Sequence, residues 1–272
     1  MCILKGQAVT MNEIKTRYGT FIPYSGEAEL RKKNKEPVTY HENGEIASIY
    51  FEEIQKVQSP LGEIDAEYLT FYPDGSLKRL FPSYGQLSGY WTEDDEYRLA
   101  PVAELTFFGR TFRVHPLCIA FYPSGKVKSF TIWNRDTISV PTKYGEVESN
   151  FGFDLTEDGK LKSVEPSFGA KLETEKGVIY PFDTDNYRLS AENNSLVFDE
   201  EGDIVKVKTL RTGLKVSTET GIINIKACKA QDPLTGFERL FPLELRFDGG
   251  LVEVTCLDKI KECFPADAVE FI

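Results

Sequence analysis

The chain has 272 residues, 41% of them hydrophobic, with 43 acidic against 32 basic side chains and a formal net charge of -11. Length and composition predict a single extended folded domain spanning 1–272, and the negative balance argues against nucleic acid or anionic lipid as a partner. Five cysteines at scattered spacings, an odd number without a C-x-x-C pair, argue against a disulfide framework and for a cytoplasmic location.

Taken in chain order, the opening MCILKGQAVTMNEIK lacks the apolar run of a signal peptide. No later stretch approaches the roughly 18 apolar residues that a membrane-spanning helix needs, so no membrane contact is expected. TRYGTF (16–21) is the first of several Gly-containing reversals, and EAELRKKNKE (27–36) reads as a solvated charged stretch. Next comes YHENGEIASI, the first of five related hairpin units; the others are FYPDGSLKRLF, FYPSGKVKSF, LTEDGKLKSV and FDEEGDIVKV. Between them lie further reversals: SPLGEI (59–64), PSYGQL (82–87), TKYGEV (142–147), PSFGAK (166–171) and TETGII (218–223). Near the end, DKIKECF (258–264) predicts a short helical cap within 255–264.

Aligned on Gly44, Gly75, Gly125, Gly159 and Gly202, the five units share an apolar residue four before the glycine: Tyr40, Phe71, Phe121, Leu155 and Phe198. They share another two after it, in Ile46, Leu77, Val127, Leu161 and Ile204. The residue just before the glycine is Asn43, Asp74, Ser124, Asp158 or Glu201, and Pro73 and Pro123 stand two before, which is the chemistry of a type I turn closed by a glycine at positive φ. Such a loop sets the two apolar series opposite each other on one face. A third apolar series, Ile49, Leu80, Phe130, Val164 and Val207, falls five after the glycine and breaks strict alternation. Either a bulge intervenes or the sheet buries both faces.

The expected fold class is all-β: tandem antiparallel β-hairpin repeats forming an elongated twisted sheet or a partly closed propeller-like array. The glycine spacings of 31, 50, 34 and 43 are loose, and the two widest gaps hold similar inserts, GQLSGYWTEDDEYRLA (85–100) and GVIYPFDTDNYRLSA (177–191), with a common D-x-Y-R-L core.

The aromatic-x-x-[DN]-G-x-aliphatic-K unit, carried by Tyr40 to Ile46, Phe71 to Lys78, Phe121 to Lys128, Leu155 to Lys162 and Phe198 to Ile204, resembles the hairpin of MORN-type repeats, in particular the variant bacterial type. That resemblance implies an elongated antiparallel sheet used as a scaffold or for protein contacts, with no catalytic residues.

Chemistry-bearing residues are sparse. His41 sits in a turn; His115 in FRVHPLC, beside Cys118, reads as a strand residue before Pro116 rather than half of a nucleophilic pair. No His and Cys spacing matches a zinc ligand set, no phosphate-binding or hydrolase motif occurs, and no cofactor is expected. The acidic run Glu93 to Glu96, and Asp183 with Asp185, lie outside any calcium-loop pattern. The sets Asp95/Tyr97/Arg98 and Asp185/Tyr187/Arg188 read as loop locks in which Arg meets a carboxylate. The candidate ligand or partner surface is Tyr90, Trp91, Glu93, Asp95, Tyr97, Trp133 and Tyr187. The expected role is a non-catalytic binding or scaffold protein with a protein partner. The alternative is a carbohydrate-active hydrolase or carbohydrate-binding module that places a glycan against the inserts. Exposed sheet edges add self-association to the expectations.

Overall fold

The computed structural model describes residues 13–26, 30–32, 35–183, 189–232, 234–257 and 260–272. It is all-β and antiparallel, and its centre is a sheet of 13 strands whose spatial order is their chain order. From one edge to the other these are Val38–Tyr40, Ile46–Ser59, Gly62–Phe71, Leu77–Phe81, Pro116–Phe121, Val127–Ile132, Gly152–Leu155, Leu161–Glu165, Leu196–Phe198, Ile204–Thr209, Leu243–Asp248, Leu251–Cys256 and Ile260–Pro265.

The five hairpins share one backbone geometry. In each the glycine N–H donates to the carbonyl three residues earlier, as from Gly75 to Tyr72 at 2.9 Å, and that earlier residue's N–H donates to the residue after the glycine, as from Tyr72 to Ser76 at 2.8 Å. All five glycines lie at φ between 75° and 88°, a region that costs a residue with a Cβ about 1–2 kcal/mol. The expected facing pairs form: Tyr40 with Ile46, Phe71 with Leu77, Phe121 with Val127, Leu155 with Leu161 and Phe198 with Ile204.

Every one of these pairs is followed by a register shift, which decides between the two explanations of the broken alternation. A bulge absorbs the residue three after the glycine, so that residue and the next both turn to one face, while the residues two and five after it share the other. Leu77 and Leu80 are thus buried on the same side of the sheet.

A single apolar row results, running Val38, Ile49, Leu69, Leu80, Ile119, Phe130, Phe153, Val164, Leu196, Val207, Leu245 and Val254 before it ends at Glu262. From Ile49 to Leu245 every member is fully buried. Its cover is a layer of short strands made by the segments before, between and after the long strands: Ile14–Thr16 with Gly19–Phe21, Ala103–Phe107 with Arg110–Val114, Ile138–Thr142 with Gly145–Ser149, Leu172–Thr174 with Gly177–Ile179, and Leu214–Thr218 with Gly221–Ile225 and Val269–Phe271. Phe21, Phe107, Val140, Leu172 and Val216 from this layer join the long sheet in one hydrophobic cluster. Ring contacts mark the seam, with Phe21 stacked on Phe51 at 4.6 Å and Phe107 at 4.9 Å from Phe130.

Four of the covering hairpins, and the Ser59–Gly62 reversal of the long sheet, use a second turn device. Thr16, Ser59, Thr142, Thr174 and Thr218 each lie three before a glycine and donate the side-chain hydroxyl to that glycine's carbonyl, at 2.7 to 3.3 Å. Of the six reversals read from sequence, TRYGTF, SPLGEI, TKYGEV and TETGII follow this rule. PSYGQL and PSFGAK do not: the strands that flank them pair with other strands and not with each other, which leaves both as loops.

Successive hairpin ends are also stitched together. His41 Nε2 donates to the Phe71 carbonyl at 3.0 Å, Tyr72 to Phe121 at 3.0 Å and Tyr122 to Leu155 at 2.8 Å, always from the residue three before the glycine. His41 therefore does a tyrosine's job in the first unit.

Two expectations are corrected. Of the segment expected as a helical cap, residues 260–264 lie in strand Ile260–Pro265, paired with Leu251–Cys256, while 258 and 259 lie outside the described residues; seven residues are too few for a stable isolated helix, whereas the sheet edge offers backbone hydrogen bonds to alternate residues. Cys228 and Cys256 are disulfide-linked. An odd count leaves one cysteine over without forbidding pairs, so the parity argument for a reducing compartment does not hold. Among the described residues no helix is long and apolar enough to cross a membrane.

Gly159 has φ 88° with nothing within 4 Å of an added Cβ. Gly159→Ala is therefore predicted to cost about 1–2 kcal/mol from backbone strain alone and Gly159→Asn clearly less, as read by urea unfolding midpoints. Equal losses in the two variants would refute the left-handed turn.

Candidate functional site

The face of the long sheet away from the core carries a second register row, one residue out of phase. It runs Thr39, Ser48, Thr70, Arg79, Ala120, Ser129, Asp154, Ser163, Val197, Lys206, Arg246, Glu253 and Cys263. The bulges add Lys78, Lys128, Lys162 and Val205 beside it. The 85–100 insert and residues 190–195, at and just beyond the end of the second insert, lie over this face and divide it into three regions.

The first region is a buried ionic lock under the 85–100 insert. Arg31, Glu67 and Glu96 are all buried, and Arg31 bonds both carboxylates: Nη2 to Glu67 Oε2 at 2.6 Å, Nη2 to Glu96 Oε1 at 2.7 Å and Nε to Glu96 Oε2 at 2.8 Å. The remaining acceptor capacity is filled by the N–H of Tyr84 on Glu67 and by the N–H of Gly85 and Trp91 Nε1 on Glu96. Burial pushes the Glu96 carboxyl up, but the donors from Arg31, Gly85 and Trp91 and the charge of Arg31 outweigh it and hold it below the usual carboxylate range. A Cβ on Gly85 would sit 2.3 Å from Glu96 Oε2, so glycine is required there by close approach.

The insert's only helix, Glu93–Leu99, is fixed by the same acidic run that suggested a cation site. Asp95 closes a capping box with Thr92, Glu93 accepts from Asn134 at 3.0 Å, Asp94 pairs with Arg135, and Glu96 enters the lock. Arg98 reaches Asp95 at 3.7 Å, the loop lock read from D-x-Y-R-L. Among the described residues no group of three or more His, Cys, Asp or Glu is placed to hold a metal ion.

The second region gathers Tyr97, His115, Trp133 and Asp136. Asp136 accepts from the Tyr97 hydroxyl at 3.0 Å and stands 3.1 Å from His115 Nδ1, and the Tyr97 ring is 4.4 Å from the imidazole. Burial first, then the bond to Asp136, raises the Tyr97 hydroxyl above its ordinary value. Cys118 takes no part: burial pushes its thiol up to about 12, which removes the thiolate that nucleophilic chemistry needs.

The third region is open. Asp154, Lys162, Ser163, Lys206, Arg246 and Glu253 line a concavity of about 750 Å³, within the usual size of ligand sites. Asp154 is buried at its margin, and Lys162 reaches one carboxylate oxygen at 3.1 Å while the other has no hydrogen-bond partner among the described residues. Burial dominates over Lys162 and raises this carboxyl. Further up the face, Glu192 bridges Lys128 at 3.1 Å and Arg79 at 3.4 Å.

The sequence-predicted site residues are thus dispersed. Tyr97 and Trp133 meet edge to face at 6.1 Å, Trp91 and Asp95 are engaged within the insert, Glu93 is engaged against Asn134, and Tyr90 is 87% exposed on its own. Tyr187 lies outside the described residues, as does the rest of its Asp185/Tyr187/Arg188 set. None of the described candidates lines the concavity. The row that does was within reach of sequence: the positions three and four after each hairpin glycine read Ala47-Ser48, Lys78-Arg79, Lys128-Ser129, Lys162-Ser163 and Val205-Lys206. Compared with family profiles, curated proteins and solved structures, the chain matches none.

Two outcomes follow for the lock. Arg31→Met strands two buried carboxylates and is expected to cost about 3–5 kcal/mol in urea unfolding. Glu96 has a depressed folded pKa, so its stabilisation is full above the ordinary carboxylate range and is lost as pH falls through the depressed value. The stability gap between wild type and Glu96→Gln is accordingly widest near neutrality and narrows on acidification; a gap that widened in acid would refute the lock.

Proposed function

We propose that this chain is a non-catalytic binding protein that uses the uncovered part of its polar sheet face for protein contacts. The observation that supports this reading is the arrangement of Lys206, Arg246 and Glu253 in adjacent strands at one register level, around a concavity that no insert residue lines among the described residues. A rigid sheet holds these side chains at fixed spacing without hairpin or loop rearrangement, which suits recognition of a partner with complementary charges. The common backbone geometry of the five hairpins supports kinship with MORN-type repeats, and with it a tandem hairpin array serving as a scaffold. The engagement of Trp91, Glu93 and Asp95 in bonds that hold the insert in place weighs against an active site built there.

A second reading has one observation in its favour. Asp154 is a buried carboxyl raised by desolvation, the property of a general acid, and Asp248 and Glu253 line the same concavity. Carbohydrate recognition would therefore centre on this concavity instead of on the inserts. Binding of any member of a glycan panel to wild type and not to Asp154→Asn would favour it.

The protein-contact reading is tested by the double variant Lys206→Glu, Arg246→Glu. These side chains are partly or fully exposed, so the melting temperature should hold. A partner retained from cell extract by the immobilised wild type should be retained at least about tenfold less by the variant, the equivalent of about 1.4 kcal/mol. Identical retention profiles would sink the assignment of this face.

A further inference from the structure

The covering layer ends in a strand with an uncovered edge. Among the described residues Gly221–Ile225 pairs only with Leu214–Thr218, which pairs on its other side with Val269–Phe271. Gly213 and Ile272 exchange both backbone bonds, at 2.8 and 3.0 Å, which fixes the alternation along the middle strand: residues 213, 215 and 217 face Val269–Phe271, and 214, 216 and 218 face Gly221–Ile225. Gly221, Ile223 and Ile225 are the partners of those even-numbered residues. The N–H and C=O groups of Ile222 and Asn224 therefore point outward, and no backbone partner meets them among the described residues.

This edge lacks the protection the long sheet gives its own ends. The outer strands there carry Glu36 and Pro37 just before Val38–Tyr40, and Lys261, Glu262 and Pro265 within Ile260–Pro265. Gly221–Ile225 reads GIINI, with no charge and no proline, and Ile222 and Ile223 are 61% and 38% exposed. An uncharged edge with unpaired backbone groups is suited to receiving another strand.

We propose that the occupant is a second copy of this chain, joined through antiparallel pairing of the two Gly221–Ile225 strands about a twofold axis at Ile223. The outward groups dictate the register. Hydrogen-bonded pairs must join outward-facing residues, so Ile222 meets the partner's Asn224 and Asn224 meets the partner's Ile222. Ile223 then faces its own symmetry mate in a non-hydrogen-bonded pair, the closest cross-strand approach, at about 4.5 Å between Cα atoms. Its side chain lies on the face of buried Val216, so the two isoleucines extend the core layer across the axis. Ile225 falls opposite the partner's Gly221, where no side chain opposes it. Thr220 falls opposite the partner's Lys226 and Glu219 opposite the partner's Ala227, so no like charges confront each other.

Light scattering coupled to size exclusion tests this on the intact chain. Wild type should move from 30.8 kDa towards twice that mass as concentration rises, and a single-chain mass up to the solubility limit overturns the proposal. Asn224→Pro removes only an outward N–H and should remain a monomer with an unchanged circular dichroism spectrum. A dimer that survives it refutes the edge. Should that variant fail to fold, Ile223→Cys in a Cys263→Ser background supplies the test, because Cα atoms at that pair lie within disulfide reach. Oxidation should give a covalent dimer from Ile223→Cys and none from Ile222→Cys in the same background; the reverse, or equal yields, overturns the register.

Discussion

A glycine at positive φ followed three residues later by a bulge is the constraint on which the rest of this molecule depends. The glycine closes a tight reversal that no residue with a Cβ makes without strain, and the bulge then changes the phase of the returning strand. Without the bulge, Leu80, Phe130, Val164 and Val207 would point away from Leu77, Val127, Leu161 and Ile204, and each unit would place half its apolar residues in water. With it, both series enter one core and the row from Ile49 to Leu245 closes without a polar interruption. One local device, used five times, thus sets the register across strands far apart in sequence.

The same phase change shapes the opposite face. Because two consecutive residues turn outward at each bulge, the polar face carries twinned side chains such as Lys128-Ser129 and Lys162-Ser163, denser in hydrogen-bonding groups than strict alternation would allow. The inserts exploit that density. Ala191 N–H donates to Thr131 Oγ1 at 2.7 Å, Asn194 Nδ2 to Ser163 at 2.9 Å and Ser195 Oγ to Glu165 at 2.6 Å, so a loop with few apolar contacts is held by polar ones. Buried polar groups of this kind are tolerated because most are paired; one exception among the described residues, Asp154 Oδ1, belongs to a residue that lines the concavity.

Much of the fold was legible in sequence because its signal is local. The turn residues, the facing apolar pairs and the all-β class follow from a window of about ten residues around each glycine. The bulge was legible only as a choice between two explanations, since an apolar residue five after the glycine fits either until the partner strand is known. The helix read into DKIKECF failed for a related reason: Ile260, Glu262 and Phe264 alternate as well as they spiral, and a free sheet edge decides the matter. The ionic lock was beyond reach. Arg31 sits in a stretch that reads as solvated charge, and nothing local says that Glu67 and Glu96, 36 and 65 residues away, will surround it. For the same reason the aromatic and acidic cluster of the insert looked like a ligand surface, when Trp91 and Glu96 bond each other and Glu93 bonds Asn134.

Side-chain size along the polar row records where the sheet is covered. Up to Val197 the row is mostly Ser48, Thr70, Ala120, Ser129 and Ser163, residues short enough to let another backbone settle on the strands, with Arg79 and Asp154 among them. Beyond Val197 it changes to Lys206, Arg246 and Glu253, long charged groups that would hold an overlying loop away and that stay hydrated at little cost. A sheet that needed covering for stability alone would continue its small residues to the end. The switch at Val197 instead leaves the last four strands with a charged face, while the uncharged edge at Gly221–Ile225 is inserted in the chain between the first and second of them, those of Lys206 and Arg246. The burden of stability lies with the core row and the insert-covered strands, and the part of the chain released from it is where the polar face remains open.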